Sequence, residues 1–228
     1  MNIEGDIILI NKPYTWTSFQ VVKRLKYLIG KHYHIKKLKI GHAGTLDPLA
    51  TGLLVICVGK YTKRIESFQI SEKEYTGTFI LGATTASYDR EKPIDQTYPL
   101  EHITEETIYR IAKEMTGEQE QIPPIFSAVK IDGKRAYSLA RAENEVALKP
   151  KKITIAEFEI TKINLPQVDF RIVCSKGTYI RAIARDFGTA LGSGAYLAAL
   201  CRTKSGDFRL ENALTMEDFE NLLNENAS

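Results

Sequence analysis

The chain has 228 residues, enough for one domain with a sizeable core or for a large domain with a small appendage. Hydrophobic residues make up 43% of it and charged residues 26%, which excludes wholesale disorder and a fibrous repeat. The longest apolar runs, such as Leu53 to Val58, are far shorter than the roughly 20 residues of a membrane span. No basic region precedes an apolar stretch at the N-terminus, so we predict a cytoplasmic protein that is neither secreted nor inserted in a membrane.

The net charge of +3 is small, but it is unevenly distributed. Seven lysines and arginines and no acid lie between Lys23 and Lys39, a segment that we name the basic cluster. Such a density suits the neutralisation of nucleic-acid phosphates and equally suits a solvated helix face followed by a basic loop.

The cysteines and histidines do not predict a metal or redox site. Cys57, Cys174 and Cys201 are far apart and lack Cys-x-x-Cys spacing, and the pair His32 and His34 has no third ligand at a sensible distance. We therefore expect neither a metal nor a cofactor.

The N-terminal half begins with a predicted strand, Asp6 to Asn11, which Lys12-Pro13 ends. Ser18 is the predicted cap of a helix that runs to Gly30, with apolar residues at helical spacing. Gly41 to Gly52 is predicted to be a glycine-rich loop, and the apolar run Leu53 to Val58 after it to be a buried strand.

The later elements mix strands and helices without regular βαβ alternation, which indicates an α+β fold. We predict further strands at Lys73–Leu81, Ile153–Ile163 and Val168–Cys174, and helices at Thr104–Thr116, Ile180–Leu191 and from about Thr215.

The densest local signal is the segment from Gly41 to Gly52, which contains Asp47. Its glycines permit close approach to a ligand, and Pro48 restricts Asp47 to extended geometry, as a positioned nucleophile or base requires. The same Asp-Pro pair is also common where an aspartate caps a helix, and spacing alone leaves both readings open. His42 is either a histidine that stacks on a base or a hydrogen-bonded structural side chain.

A second signal is Cys174 to Arg181. If the chain is extended there, Tyr179 and Arg181 project to one face and line a single site. The alternative is a tyrosine packed at a strand end and an arginine paired with a nearby acid.

Four segments in order resemble the bacterial TruB type of tRNA pseudouridine synthase. They are Asn11-Lys12-Pro13 with Thr17-Ser18, Gly41 to Lys60, Pro123 to Lys134, and Cys174 to Arg181 followed by Gly192 and Leu200. The resemblance implies an enzyme that isomerises uridine to pseudouridine at position 55 in the TΨC loop of tRNA, by base flipping and without a cofactor.

The resemblance also implies the roles of single residues. Asp47 matches the family's catalytic aspartate, Tyr75 the tyrosine that stacks on the target base, and Leu200 a hydrophobic pocket residue. Tyr179 falls in the base pocket, Arg181 becomes the partner of Asp47, and His42 matches a histidine that inserts into the RNA loop. The role of Asp89 stays open, because the family often has an aspartate earlier, where Thr85 to Tyr88 stand here.

By the same resemblance, the fold is that of pseudouridine synthases: a central mixed, mostly antiparallel sheet flanked by helices. Residues 1–210 form the catalytic domain, with an RNA-clamping insertion at about 120–150. Residues 211–228 form a short helical tail in place of a full RNA-binding domain of the PUA type. The expected partner is the tRNA T-arm, with the protein a monomer that has no obligate protein partner.

Three routes for the carboxylate stay open: attack on C6 of the base, attack on C1′ of the ribose, or assistance to glycal formation. Two rival functions are a non-catalytic RNA-binding protein and a nucleosidase that acts on small nucleosides. Asp47, Tyr75 and Arg181 together disfavour the first, because phosphate binding needs none of them. The basic cluster and the insertion disfavour the second.

Overall fold

The computed structural model describes residues 1–125 and 148–225 together with two short strands at 130–131 and 134–135. The strands are, in chain order, β1 (Gly5–Lys12), β2 (Ile40–His42), β3 (Ala50–Gly59), β4 (Lys73–Leu81), β5 (Ala83–Thr85), β6 (Ile94–Thr97), β7 (Gly117–Gln121), β8 (Lys130–Ile131), β9 (Lys134–Arg135), β10 (Lys151–Asn164), β11 (Gln167–Cys174), β12 (Ala195–Ser205) and β13 (Phe208–Arg209). The α-helices are α1 (Ser18–His32), α2 (Ile65–Ile70), α3 (Glu105–Glu114), α4 (Ile180–Ala190) and α5 (Met216–Glu225), and 3-10 helices cover Lys60–Arg64 and Leu210–Asn212.

The chain divides into two compact units. Unit 1 comprises Met1–Thr76 and Leu200–Ser228, and unit 2 comprises Gly77–Ala199. In unit 1, β3 lies between β1 and the part of β12 that begins at Leu200, and β2 also pairs with β3 while β13 pairs with β12. Strand β1 is antiparallel to β3, whereas β12 runs parallel to it.

Helices α1 and α5 supply one side of the core of unit 1. Residues spaced three and four apart on α1, among them Val21, Leu25 and Ile29, are buried against strand residues such as Ile10 and Ile56. Phe219 and Leu223 of α5 belong to the same cluster. The C-terminal helix is therefore part of this core.

Unit 2 contains the part of β4 that begins at Gly77 and has the strand order β4-β11-β10-β7, with β10 antiparallel to both of its neighbours. Four phenylalanines form the centre of its core. The rings of Phe79 and Phe170 stack at a centroid distance of 4.1 Å, and those of Phe158 and Phe187 lie 5.4 Å apart.

The predicted fold class is confirmed: the protein is α+β, with a mixed and mostly antiparallel sheet. The RNA-clamping part of the insertion, around Ile125 to Arg141, falls largely outside the described residues. The predicted domain boundary at residue 210 stays a prediction. In the part of the chain that the structure describes, no helix combines the length and the apolar character needed to cross a bilayer.

Two local predictions are wrong. Thr17, not Ser18, caps α1: its hydroxyl accepts a hydrogen bond from the Gln20 N–H at 3.1 Å, and the helix continues past Gly30 to His32. The glycine-rich segment is not all loop, because Gly41 and His42 belong to β2 and Gly52 belongs to β3. The start of the segment is part of the sheet because Gly41 pairs with Cys57 and His42 pairs with Ile56 of β3.

Candidate active site

Asp47 lies in the short connection between β2 and β3. The Ala50 N–H donates to the Asp47 carbonyl oxygen at 3.1 Å, which closes a single turn before β3 begins. No helix starts after Pro48, so the helix-capping interpretation of Asp47 is wrong. We name residues 43–49 the Asp47 loop.

The first residue of α1 fixes the near side of this loop. The Ser18 hydroxyl donates to the Leu46 carbonyl oxygen at 3.1 Å and accepts from the Leu46 N–H at 2.9 Å. Because Ser18 is buried, both backbone groups of the residue before Asp47 are satisfied without water. The start of α1 and the Asp47 loop are therefore held together.

Arg202 of β12 holds the loop from a second direction. Its Nε donates to the Leu53 carbonyl oxygen at 2.8 Å and its Nη2 donates to the Gly44 carbonyl oxygen at 3.0 Å. The residue is only 1% exposed. One guanidinium thus binds backbone carbonyls on both sides of Asp47 in the sequence.

Glycine is required where Arg202 meets this segment. Gly52 has a φ of +100°, and a Cβ there would lie 2.4 Å from the Arg202 carbonyl oxygen. Gly44 has a φ of +108°, and its Cβ would lie 3.3 Å from Arg202 Nη1. A side chain at Gly52 would therefore push β12 away from β3, and with it the guanidinium.

Lys12, at the end of β1, is a third anchor and is fully buried. Its Nζ donates to the carbonyl oxygens of Pro13 at 2.9 Å, Trp16 at 2.5 Å and Pro48 at 3.2 Å. Burial lowers the pKa of Lys12 to about 8, the Asp47 carboxylate opposes this change, and Arg202 adds to it. The ammonium group therefore lies within electrostatic reach of both Asp47 and Arg202.

His42 ends β2 on the approach to the loop. Its Nδ1 is buried and has no hydrogen-bond partner among the residues that the structure describes. Burial, and then the positive charge of Arg202, lower the pKa of the imidazole. A hydrogen bond with the Gly44 backbone opposes this shift but is outweighed, so the neutral form of the ring is favoured.

Tyr75 and Leu200 also belong to unit 1, and both are half-buried. Tyr75 lies on β4. Leu200 lies on β12 opposite Ala50, the residue that follows the Asp47 turn, and its carbonyl oxygen accepts from the Thr51 hydroxyl at 3.3 Å. Leu200 is thus placed beside the end of the Asp47 loop.

Tyr179 and Arg181 belong to unit 2, and the predicted helix begins at Ile180, so the chain is not extended through both residues. Extended geometry ends at Tyr179, which is the N-cap of α4, and Arg181 is in the first turn of the helix. The side chain of Gln121 holds the Tyr179 backbone. Its Oε1 accepts from the Tyr179 N–H at 2.8 Å, and its Nε2 donates to the Tyr179 carbonyl oxygen at 3.1 Å.

Arg181 is buried and contacts the turn that contains Asp89. Its Nε lies 3.6 Å from Asp89 Oδ2, and its Nη1 donates to the Ser87 carbonyl oxygen at 3.2 Å. Within unit 2, Asp89 is therefore an acidic partner of Arg181. The pairing of Arg181 with Asp47 stays a prediction, because the two residues belong to different units.

Sequence reasoning missed Arg202 and Gln121 as residues that support the site. Neither lies in a recognisable pattern: each is one polar residue on a strand that was not predicted. Lys12 was noted in a strand-ending Lys-Pro pair and in the segment Asn11-Lys12-Pro13 of the resemblance, without a role, and its burial has no signature in the sequence.

Two family models match the chain. A model described as TruB family pseudouridylate synthase, N-terminal domain, matches residues 31–180, and a model of the tRNA pseudouridylate synthase B C-terminal domain matches residues 181–228. The chain belongs to the TruB family of pseudouridylate synthases. In this TruB-family chain, Asp47, His42 and Tyr75 fall in the first match, and Leu200 and Arg202 fall in the second.

Relatives of this TruB-family chain match it over nearly their whole length. A tRNA pseudouridine synthase B of Flavobacterium johnsoniae is 58% identical over 222 residues, which cover 97% of each chain. A tRNA pseudouridine synthase B of Phocaeicola vulgatus is 55% identical over 222 residues, which cover 97% of this chain and 94% of the relative.

Solved structures share the fold. The chain aligns with a Cbf5–Nop10–Gar1 complex at a TM-score of 0.73 and 29% identity, over 96% of this chain and 54% of the other. It aligns with an H/ACA RNP bound to a substrate RNA containing 2′-deoxyuridine at a TM-score of 0.72 and 25% identity. The chain spans about half the length of these two solved chains.

Proposed function

We propose that this TruB-family chain isomerises uridine to pseudouridine in tRNA, at position 55 of the TΨC loop, with Asp47 as the catalytic residue. The observation that carries the proposal is the frame of the Asp47 loop. Ser18 of α1, Lys12 of β1 and Arg202 of β12 bind its backbone from three elements of unit 1. A carboxylate on a loop held at so many points is preorganised, as positioned catalysis requires.

The reaction breaks the bond between C1′ of the ribose and N1 of uracil, turns the base and forms a bond between C1′ and C5. The hydrogen on C5 leaves as a proton, and N1 gains one, so no redox agent or energy source is needed. All three routes use the ionised carboxylate: as a nucleophile in the attack on C6 or C1′, or as the base that takes the C2′ proton when the glycal forms. The ammonium of Lys12, within electrostatic reach of Asp47, supplies positive charge beside it.

The target base must leave its stack, at a cost of a few kcal/mol. Tyr75 stacks on the extruded uracil and recovers about 1–3 kcal/mol. Tyr179 and Leu200 line the base pocket, and Arg181 is the partner of Asp47. His42, on the approach to the Asp47 loop, enters the RNA loop and binds a base edge.

The proposed partner is the T-arm of tRNA, whose phosphates bind the basic cluster. The protein acts as a cytoplasmic monomer without a cofactor, a metal or an obligate protein partner. Residues 1–210 form the catalytic domain, with the clamping insertion at about 120–150, and residues 211–228 complete it as a short helical tail.

Substitution of Asp47 by asparagine tests the proposal directly. We expect Asp47→Asn to abolish tritium release from a tRNA transcript that carries C5-tritiated uridine, while tRNA affinity stays near that of the wild type. Asp207→Asn removes a charge from an exposed turn and is the matched control. Full turnover by Asp47→Asn would refute the assignment of Asp47.

A further inference from the structure

The outward face of α1 carries two aromatic residues that the core does not use. Phe19 is 71% exposed and Tyr27 is 58% exposed. The opposite face of the helix, which includes Val21, Leu25 and Ile29, packs in the core of unit 1. Exposed aromatic rings of this kind supply flat surfaces on which nucleic-acid bases can stack.

Lysines alternate with these aromatic residues. Phe19, Lys23, Tyr27 and Lys31 are spaced four residues apart and form one row along the helix, about 18 Å long, with exposed Lys26 beside it. Helix α1 contains no acidic residue. We name these five residues the aromatic-basic face of α1.

Arg24, which borders this face, is engaged elsewhere. Its Nη2 lies 2.8 Å from Glu220 Oε2 of α5, and its guanidinium carbon lies 5.8 Å from the centre of the Tyr27 ring. Glu220 of α5 is therefore the acidic partner of Arg24. In the described chain, none of the three lysines of the face forms an ion pair.

The row begins at the Asp47 loop. Ser18, one residue before Phe19, exchanges two hydrogen bonds with the backbone of Leu46, one residue before Asp47. The Phe19 end of the face is thus tied to the proposed catalytic loop, and the Lys31 end points towards the rest of the basic cluster.

We propose that the aromatic-basic face of α1, which includes the first lysines of the basic cluster, is an RNA-binding surface on which the loop nucleotides next to the target uridine lie. Lys23, Lys26 and Lys31 bind phosphates, and Phe19 and Tyr27 stack on unpaired bases. Stacking accepts any base, since each base has a π-face, so this surface adds affinity without selecting sequence. The inference rests on the proposed function, because it takes the occupant to be the tRNA substrate.

The positive charge of the aromatic-basic face favours RNA, rather than a second copy of this chain, as its binding partner. A two-fold dimer through this face would set the three lysines of one copy against the three of its partner, and like charges in contact oppose association. A polyanion removes that repulsion and releases counterions.

Binding of an unmodified tRNA transcript, measured by fluorescence anisotropy between 50 and 200 mM salt, tests the proposal. For the triple variant Lys23→Gln, Lys26→Gln and Lys31→Gln, the slope of log Kd against log salt should fall by about 2, since each single-strand phosphate contact contributes about 0.7. Phe19→Ala and Tyr27→Ala should each raise Kd about tenfold and leave the slope unchanged. At tRNA concentrations well below Kd, kcat/KM should fall in proportion to the loss of affinity in each variant, because the face contributes to binding of the substrate.

Matched controls separate this face from surface charge and surface aromatics in general. Lys113→Gln and Tyr109→Ala alter exposed residues of α3 in unit 2 and should leave Kd and slope unchanged. Phe19→Tyr and a triple substitution of the lysines by arginine should restore wild-type affinity.

An unchanged Kd and slope in the triple variant would overturn the proposal, as would an equal loss in the α3 controls. A change of oligomeric state in size-exclusion chromatography, with tRNA affinity intact, would assign the face to a contact between copies and would also overturn it. If the wild type binds tRNA through this face yet releases no tritium, the RNA surface stands and the proposed reaction fails.

Discussion

At the scale of single residues, Arg202 sets the shape of the candidate site in unit 1. A buried guanidinium costs several kcal/mol in desolvation unless its donors are satisfied, and here two of them bind the carbonyls of Gly44 and Leu53. Among the described residues, no carboxylate forms an ion pair with Arg202. Its charge therefore acts on its neighbours, and it lowers the pKa values of both Lys12 and His42.

Substitution of Arg202 by methionine should lower both stability and turnover. The variant leaves two buried carbonyls without donors, so we expect a loss of about 3 kcal/mol in the free energy of unfolding, measured by urea denaturation. At a temperature where the variant is folded, kcat should fall about 100-fold because the Asp47 loop loses its anchor. Arg110→Met breaks an exposed pair with Glu114 and should cost less than about 0.5 kcal/mol. Wild-type kcat in folded Arg202→Met would contradict the anchoring role.

Lys12 should make the stability of the protein depend on pH in the alkaline range. The pKa of Lys12 is lowered from 10.5 to about 8, so between these values the unfolded chain holds a proton that the folded chain has lost. The free energy of unfolding then rises with pH across this window, by up to about 3 kcal/mol. Well below pH 8 the Lys12 amine is protonated in both the folded and the unfolded chain. Its contribution to the free energy of unfolding then does not change with pH.

Comparison with Lys12→Met isolates this effect from other titrating groups. The variant keeps an apolar stem but has no amine, so its free energy of unfolding should lack this rise. Urea denaturation of both proteins at intervals from pH 7 to pH 10 measures the difference. Parallel curves across that range would show that Lys12 titrates at its ordinary pKa in the folded protein.

At the scale of elements, the junction of α1 with the Asp47 loop separates two neighbouring roles. Thr17 only caps the helix, whereas Ser18 binds both backbone groups of Leu46. Removal of the Thr17 side chain should therefore leave the Asp47 loop in place. Removal of the Ser18 hydroxyl breaks both hydrogen bonds to Leu46, the residue before Asp47.

Thr17→Ala and Ser18→Ala should therefore differ in activity. We expect Thr17→Ala to cost about 1 kcal/mol of stability with kcat unchanged. Ser18→Ala should cost about 2 kcal/mol and lower kcat about tenfold, since it leaves a buried N–H and a buried C=O unpaired. Thermal denaturation and single-turnover kinetics measure both quantities. Equal kcat values in the two variants would remove the link between α1 and catalysis.

The elements also show how far the sequence predicts the fold. Strand β3 and helix α1 were predictable because Leu53 to Val58 is continuously apolar and the buried residues of α1 recur at helical spacing. Strands β2 and β12 were not, since β2 is three residues long and β12 lacks period-two alternation, with mostly apolar residues at 195–201 followed by polar and charged ones at 202–205. Their strand character comes from pairing with β3, which is distant in sequence from β12.

The residues of the candidate site also fall into a group that the sequence predicts and a group that it does not. The glycines, Asp47 and Pro48 form a local pattern, so the loop could be found from the sequence. Arg202 and Gln121 could not, because an arginine or a glutamine on a strand is ordinarily exposed. Only the folded chain shows that backbone groups of the Asp47 loop and of Tyr179 satisfy their side chains.

At the scale of the whole molecule, the distribution of charge matters more than the net value of +3. The basic cluster begins on α1, whose first residue is tied to the Asp47 loop, so cationic surface and proposed chemistry are joined in unit 1. The near-full-length match to relatives named tRNA pseudouridine synthase B agrees with an RNA substrate for such a surface.

Mapping of pseudouridine in bulk tRNA tests the central claim most directly. Cells that lack this protein are compared with the same cells supplied with the wild type or with Asp47→Asn. We predict that uridine 55 in the TΨC loop stays unmodified without the protein, becomes pseudouridine with the wild type, and stays unmodified with Asp47→Asn. Pseudouridine at that position in cells that lack the protein, at the level found with the wild type, would contradict the account.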